Sequence, residues 1–333
     1  MKLRTEIESP NYDFQLNYWD RIFTIGSCFA ENISEYLRNR KINILSNPFG
    51  VLYNPLSIEN AFKVLLGKLK VEEDDYIFDQ YEWHSFYHHS DFSSHNKDLL
   101  KSKIKETNKT AIQFLTSTNL LIITLGTAFV YKYLETEKVV SNCHKIPQKD
   151  FEKIRLTTEE AIKSIRSTCT LLKELNSDLK IIFTISPVRH WKDGAAENQR
   201  SKSILTMAVD EIIKTTKDTY YFPSYEIMMD DLRDYRFYKK DLLHPNEIAV
   251  EYIAEKFINS IMNEESIKFM NDAIQITNSK EHKVRNKESE AYKIFLSNII
   301  SKIENLKGKY PKSNFENDLL YFKEEFKSVK KPT

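Results

Sequence analysis

Two stretches of the chain hold residues whose types and spacing suit nucleophilic catalysis. Ser27 and Cys28 stand side by side behind Gly26 in "RIFTIGSCFA", and far downstream Asp241 and His244 are three residues apart in "YKKDLLHPNEIAVEY". A serine hydroxyl is a weak nucleophile until a base takes its proton, and a histidine serves as that base once a carboxylate fixes its tautomer. In a tight turn, Asp-x-x-His lets the carboxylate meet one ring nitrogen while the other faces a hydroxyl, and Pro245 presets the helix that follows. A thiol at a helix N-terminus is the rival nucleophile, because that position lowers its pKa. Adjacent residues after a strand point different ways, so with Ser27 in a crevice Cys28 is expected to pack between helix and sheet.

Arg189 and His190 form a second candidate pair, directly after the apolar "IIFTISPV". The planar fork of Arg189 suits a carboxylate, phosphate or sugar hydroxyl of a substrate, although a carboxylate of the nearby "DDLRD" is an equal claimant. His190 reads as a substrate contact or a structural hydrogen bond. "WHSFYHHSDFS" carries His84, His88 and His89, and its i, i+4 pair invites a metal. It lacks an H-E-x-x-H pattern and a third ligand at useful spacing, so no metal and no cofactor are expected and the segment reads as a pocket wall.

The elements that must position these groups are legible in the periodicity. "RIFTIG" predicts a strand and "CFAENISEYLRNRK" a helix with Phe29, Ile33, Tyr36 and Leu37 on one face. "INILSN", "NLLIITLG", "LKIIFTISP" and "TYYFPS" predict four more strands. "SIENAFKVLLG", capped by Ser57, "TTEEAIKSIRSTCTLLKELN", boxed by Thr157 and Glu160, "RSKSILTMAVDEIIKTTK" and "NEIAVEYIAEKFINSIM" predict the helices between and after them. Such alternation implies an α/β fold whose mostly parallel sheet is covered on both faces, with ligands at the carboxyl ends of its strands. The turns at Ser27, Gly50 and Gly126 each follow a predicted strand and can share that crevice. Residues 68–118 read as a polar, aromatic insertion, "AFVYKYLETEKVVSN" as a hairpin, and 263–333 as a helical C-terminal extension of a domain spanning 1–262. That extension packs on the main domain or on a second copy, which makes homo-oligomerisation through it an expectation.

Composition narrows the partners. The 333 residues hold 49 Lys and Arg against 48 Asp and Glu, a formal net charge of +1, so no global field draws nucleic acid or an anionic membrane. Cys28, Cys143 and Cys169 form no paired motif, which argues for a reducing compartment. "MKLRTEIESPNYDF" has no apolar signal core and no run of about 18 apolar residues occurs, so a soluble, cytoplasmic protein is expected. The chain has six glycines, far below the average usage of about 7%, so each is expected to serve geometry. Gly67 and Gly308 read as helix C-caps.

Taken together, "GSCFA" at 26–30, "NPFGVLYNP" at 47–55, "TLGTAFVY" at 124–131, "NCHKIP" at 142–147, "SPVRHWKDG" at 186–194 and "YFPSYEIMMDDLRDYRFYKKDLLHP" at 221–245 resemble the GSCFA family within the SGNH or GDSL-like hydrolase clan. The resemblance implies a flavodoxin-like three-layer α/β/α sandwich and a Ser27–His244–Asp241 triad. It also implies an oxyanion hole from the backbone N–H groups of Ser27 and Gly50, and a third-block glycine, Gly126, which with Arg189 and His190 would contact substrate. Where the wider clan has an asparagine donor this chain has Ala128, and Asn142 is the replacement considered. The implied activity is that of a serine esterase or acyltransferase on a small acyl ester, such as O-acetyl on a carbohydrate. The alternative is a non-catalytic ligand-binding or assembly protein that keeps the fold.

Overall fold

In the computed structural model, residues 4–282 and 286–329 are described; the start of the N-terminal segment read above, and residues 283–285 and 330–333 of the expected extension, lie outside them. Strand β1 (Arg21–Gly26) feeds helix α1 (Cys28–Asn39), and β2 (Asn43–Ser46) feeds α2 (Pro55–Leu65). A small hairpin, β3 (Tyr76–Phe78) and β4 (Trp83–Ser85), precedes α3 (Lys97–Leu115) and β5 (Leu120–Leu125). Strands β6 (Phe129–Tyr133), β7 (Val139–Val140) and β8 (Phe151–Arg155) form a separate antiparallel sheet before α4 (Thr158–Leu175). The chain continues through β9 (Lys180–Ile185), α5 (Ala195–Thr215), β10 (Thr219–Phe222) and the single turn α6 (Ser224–Glu226). Helices α7 (Glu247–Ile261), α8 (Glu264–Glu281), α9 (Glu290–Lys309) and α10 (Glu316–Ser328) complete it.

The central five-stranded sheet has the order β10-β9-β5-β1-β2, with every neighbouring pair parallel. Counting only these strands along the chain, that is the 2-1-3-4-5 order of flavodoxin-like folds, and the order reverses between β1 and β5. Alternate strand residues serve opposite faces, as the period of two demands. Ile22, Leu120, Ile122 and Ile182 pack under α1 and α7, whereas Phe23, Ile25, Leu121, Ile123, Ile181 and Phe183 pack under α2, α4 and α5. The result is the expected three-layer sandwich.

Three local expectations change. Helix α2 starts at Pro55 with Asn54, not Ser57, as its cap: Asn54 Oδ1 accepts the Ser57 N–H at 2.8 Å, and proline suits the first helical position because it has no N–H to satisfy. Gly308 lies inside the last turn of α9 rather than beyond it. Within the expected insertion at 68–118, α3 sends Ala111 and Leu115 into the sheet core, so it is a crossover helix and the added piece is the hairpin region before it.

The C-terminal helices share the core of the α1 face. Phe269 and Met270 of α8, Leu296 and Ile303 of α9 and Phe322 of α10 are buried there, and Tyr18 stacks on Phe269 at 4.5 Å. Among the described residues no helix is long and apolar enough to cross a membrane.

Candidate active site at the carboxyl edge of the sheet

Ser27 sits at the topological switch point, capping α1 immediately after β1. The turn that places it demands glycine: Gly26 has φ 140°, and a Cβ there would lie 2.2 Å from the Thr124 carbonyl oxygen of β5. Asn47 braces the same turn by accepting the Gly26 N–H on Oδ1 at 2.8 Å. The Ser27 side chain is almost fully buried and its Oγ accepts the Phe29 N–H at 3.3 Å.

A cavity of about 510 Å³ lies above Ser27. Ser27, Cys28, Asn142, Arg189, His190 and His244 all line it, so the structure brings together the expected nucleophile, base and most of the expected binding residues. Asp241 stands behind His244: its Oδ2 lies 2.6 Å from His244 Nδ1, and its Oδ1 accepts the N–H groups of Leu243 and His244, both at 3.0 Å. Those N–H groups and the ring hold the Asp241 carboxyl down at about 2, the His244 N–H contributing most. The Asp-x-x-His turn therefore forms as its spacing suggested. No hydrogen bond joins His244 to Ser27 Oγ; such contacts often tighten only when substrate binds.

Cys28 departs from its expected packing role. It is partly exposed and lines the cavity. Burial, followed by the Glu31 charge, pushes its thiol pKa up, so the thiolate is scarce near neutrality despite the helix N-terminus.

The oxyanion donors implied by resemblance are otherwise engaged. The Ser27 N–H donates to Thr124 O at 3.0 Å and the Gly50 N–H to Asn47 O at 2.7 Å. Gly50 does not border the cavity; a Cβ at its φ of 73° would meet His89 Cβ at 2.2 Å. Gly126 also lies below the surface, donating its N–H to Tyr53 O at 2.7 Å, and a Cβ there would come within 3.2 Å of His190 Nε2. Gly126 does not line the cavity, and a side chain there would crowd His190 and Tyr53. Ala128 is buried, with its N–H given to Ser201 Oγ at 2.7 Å.

Side-chain amides remain. Asn142 Oδ1 accepts the His144 N–H at 2.8 Å, and Asn54, also on the cavity wall, spends Oδ1 on the cap of α2. In each case Nδ2 is the polar atom left over, with no partner among the described residues. Asn54 reaches the cavity wall because α2 starts at Pro55 rather than after Ser57, a shift of the cap that spacing does not disclose.

A second missed residue is Lys202 of α5, fully enclosed beneath the cavity. Its Nζ donates to Gly126 O at 2.8 Å and Ser186 O at 2.7 Å, tying together the chain just beyond β5 and β9. Burial lowers its pKa to about 7. Burial likewise pulls His190 down to about 4, with Lys202 adding to the effect, so the ring is neutral at neutral pH. Arg189 makes no ion pair with "DDLRD"; its guanidinium lies over Trp191 with Cζ 4.8 Å from the ring centroid. In the hairpin region His84 pairs with Asp79 at 3.0 Å, while His88 stacks on Phe49 at 4.6 Å and bonds Ser85 Oγ at 2.9 Å.

Fold and site together define a flavodoxin-like α/β protein with a serine-floored, histidine-bearing cavity at its switch point. The chain belongs to the GSCFA family: the GSCFA family model matches residues 21–257, and that of the GSCFA domain protein, C-terminal domain, matches 274–328. No curated protein matches it by sequence. Among solved structures it is similar to a carbohydrate esterase family 3 from Talaromyces cellulolyticus, at 8% identity and TM-score 0.34, over 76% of this chain and 99% of that one. It is also similar to the acetyl xylan esterase Est2A from the rumen bacterium Butyrivibrio proteoclasticus, at 9% identity and TM-score 0.37, over 76% of this chain and 66% of that one. A family two carbohydrate esterase from Clostridium thermocellum, in complex with cellohexaose, matches at 10% identity and TM-score 0.36, over 76% and 66%.

Proposed function

We infer that the chain is a serine esterase or acyltransferase acting on a small acyl ester, acetyl on a carbohydrate being the leading case. Ser27 is the nucleophile, His244 the general base and Asp241 the group that orients it. The observation that carries this reading is the 2.6 Å contact of Asp241 with His244 Nδ1, on a loop that reaches the cavity floored by Ser27. With Nδ1–H held by Asp241, His244 Nε2 is left as the basic nitrogen. Proton transfer from Ser27 requires that Nε2 come within hydrogen-bond reach of Oγ, as catalytic contacts do when substrate binds.

Ser27 Oγ then bonds to the acyl carbon, and the carbonyl electron pair moves onto oxygen. As the tetrahedral species collapses, the bond to the leaving alcohol breaks and His244 returns the proton to that alcohol. Water or a second alcohol, deprotonated by His244, attacks the acyl-enzyme and releases Ser27. The amides of Asn142 and Asn54 are the donors for the oxyanion. Neutral His190 supplies a further polar contact without adding a charge.

The engaged N–H groups of Ser27 and Gly50 favour a second reading, a ligand-binding protein without turnover. Hydrolysis of 4-nitrophenyl acetate separates the two. The esterase reading expects turnover that falls by at least about 10³ in Ser27→Ala and in His244→Ala. Turnover absent from the wild type, or undiminished in Ser27→Ala, contradicts it.

A further inference from the structure

The catalytic cavity shares a wall with a second cavity of about 520 Å³, and Arg189, Trp191 and Leu243 border both. The second cavity is also walled by Tyr235 and Tyr238. Trp191 is 48% exposed and Tyr235 74% exposed, large apolar faces left in water at the rim of a concave site. Aromatic rings of this kind offer a flat apolar body with a polar tip, the surface on which the C–H face of a sugar ring lies well.

Charge is distributed unevenly around these cavities. Asp193 is the carboxylate on the catalytic lining, and it is paired with Lys153. Asp234 and Asp241, on the second cavity, are held by Arg236 and His244. Arg233 is held by Asp230. Arg189 and Lys192 are the exceptions: neither side chain makes an ion pair or hydrogen bond with any described residue, and Arg189 Nε is shielded from solvent with no acceptor. A shielded donor without a partner is costly, and the contact with Trp191 holds the guanidinium against the indole at the cavity rim. An incoming carboxylate matches the guanidinium fork in two-point contact.

We propose that Arg189 and Lys192 form an anion subsite beside Ser27, and that the substrate is an acylated saccharide carrying a carboxylate, its neighbouring sugar ring lying over Trp191 and Tyr235. The word "acylated" rests on the esterase reading above; the anion subsite stands on its own geometry. A uronic acid residue brings carboxylate and hydroxyl-linked ester close together, as one cavity holding both the nucleophile and an unpaired arginine requires.

The test is calorimetric titration of the wild-type protein with trigalacturonate, which bears no ester, and with neutral galactotriose. Trigalacturonate is expected to bind, to weaken at high salt, and to lose at least about tenfold in affinity in Arg189→Gln and severalfold in Lys192→Gln. Galactotriose is expected to bind more weakly and to be indifferent to both changes. Thermal melting checks that each variant folds, and the exposed Lys192 serves as the second probe if Arg189→Gln does not. Equal affinity for the two trisaccharides, no binding of trigalacturonate, or unchanged binding in folded Arg189→Gln overturns the proposal. Absence of 4-nitrophenyl acetate turnover in the wild type would overturn the esterase reading alone.

Discussion

Asp241 Oδ2 lies 2.6 Å from His244 Nδ1, and the same carboxylate accepts the backbone N–H of His244 and of Leu243 through its other oxygen. One side chain thus fixes both the shape of the turn and the orientation of the ring on it. Asp241→Asn keeps the size of the group but can present its amide N–H to Nδ1, which selects the wrong tautomer. The expected outcome is a kcat for 4-nitrophenyl acetate lower by about 10²–10⁴ with little change in KM. A loss of less than about threefold would mean that Asp241 does not set the working tautomer of His244.

Asn54 caps α2 and, in the proposed mechanism, also donates to the oxyanion, and a single substitution separates the two. Serine at position 54 retains a cap for α2 and removes the amide donor from the cavity. Asn54→Ser is expected to melt within a few degrees of the wild type while kcat falls by about 10²–10³, the size of effect seen when one oxyanion donor is removed. Unchanged kcat would take Asn54 out of the oxyanion site and leave Asn142 alone in it.

Three histidines are held neutral by burial. His88 is lowered to about 3, and His144 and His190 to about 4, each chiefly because enclosure disfavours the charged ring. Each folded pKa lies below the ordinary unfolded value of about 6.5, so between these values the unfolded chain binds more protons. Stability from these groups is present above pH 6.5 and is lost as pH falls toward 4. The Cε1–H resonances of all three are expected to hold neutral-ring shifts from pH 7.5 down to 5; titration of any near 6.5 would contradict its placement.

Lys202 works in the opposite range. Its folded pKa of about 7 is below the usual 10.5, so between pH 7 and 10 the unfolded chain again holds the extra proton and stability rises with pH. Denaturant titrations at pH 7 and 9 should show the wild type gaining about 2 kcal/mol over a Lys202→Met variant, the scale set by about 1.4 kcal/mol per unit for a fully enclosed group. Parallel pH profiles for the two proteins would show that Lys202 stays charged in the fold.

These predictions depend unevenly on what the sequence alone discloses. The five central strands are apolar runs bounded by turns, and the Asp241–His244 turn is local, so both were readable from spacing. The same holds for Gly26, whose need to pass close to Thr124 leaves a glycine behind a strand. Lys202 left a fainter signal: it lies on the buried stripe of α5 with Asn198, Leu205, Val209 and Ile212, where a lysine is out of place. Cys28 was misplaced because neighbouring positions at a helix start can both face a crevice when the turn is as sharp as that at Gly26. The Gly50 N–H closes a local turn onto Asn47, whereas the Ser27 N–H meets Thr124 only when the ends of β1 and β5 come together, and spacing carries no record of that contact.

The central claim is that Ser27, not Cys28, forms the covalent bond to the acyl group. The most direct measurement is peptide mapping by mass spectrometry after reaction with a fluorophosphonate at pH 7.5, on the wild type and on Ser27→Ala, Cys28→Ala and His244→Ala. The account predicts one phosphonyl group on Ser27 in the wild type and in Cys28→Ala, none in Ser27→Ala, and much slower labelling in His244→Ala. A modification carried by Cys28, or labelling of Ser27→Ala at the wild-type rate, would contradict it.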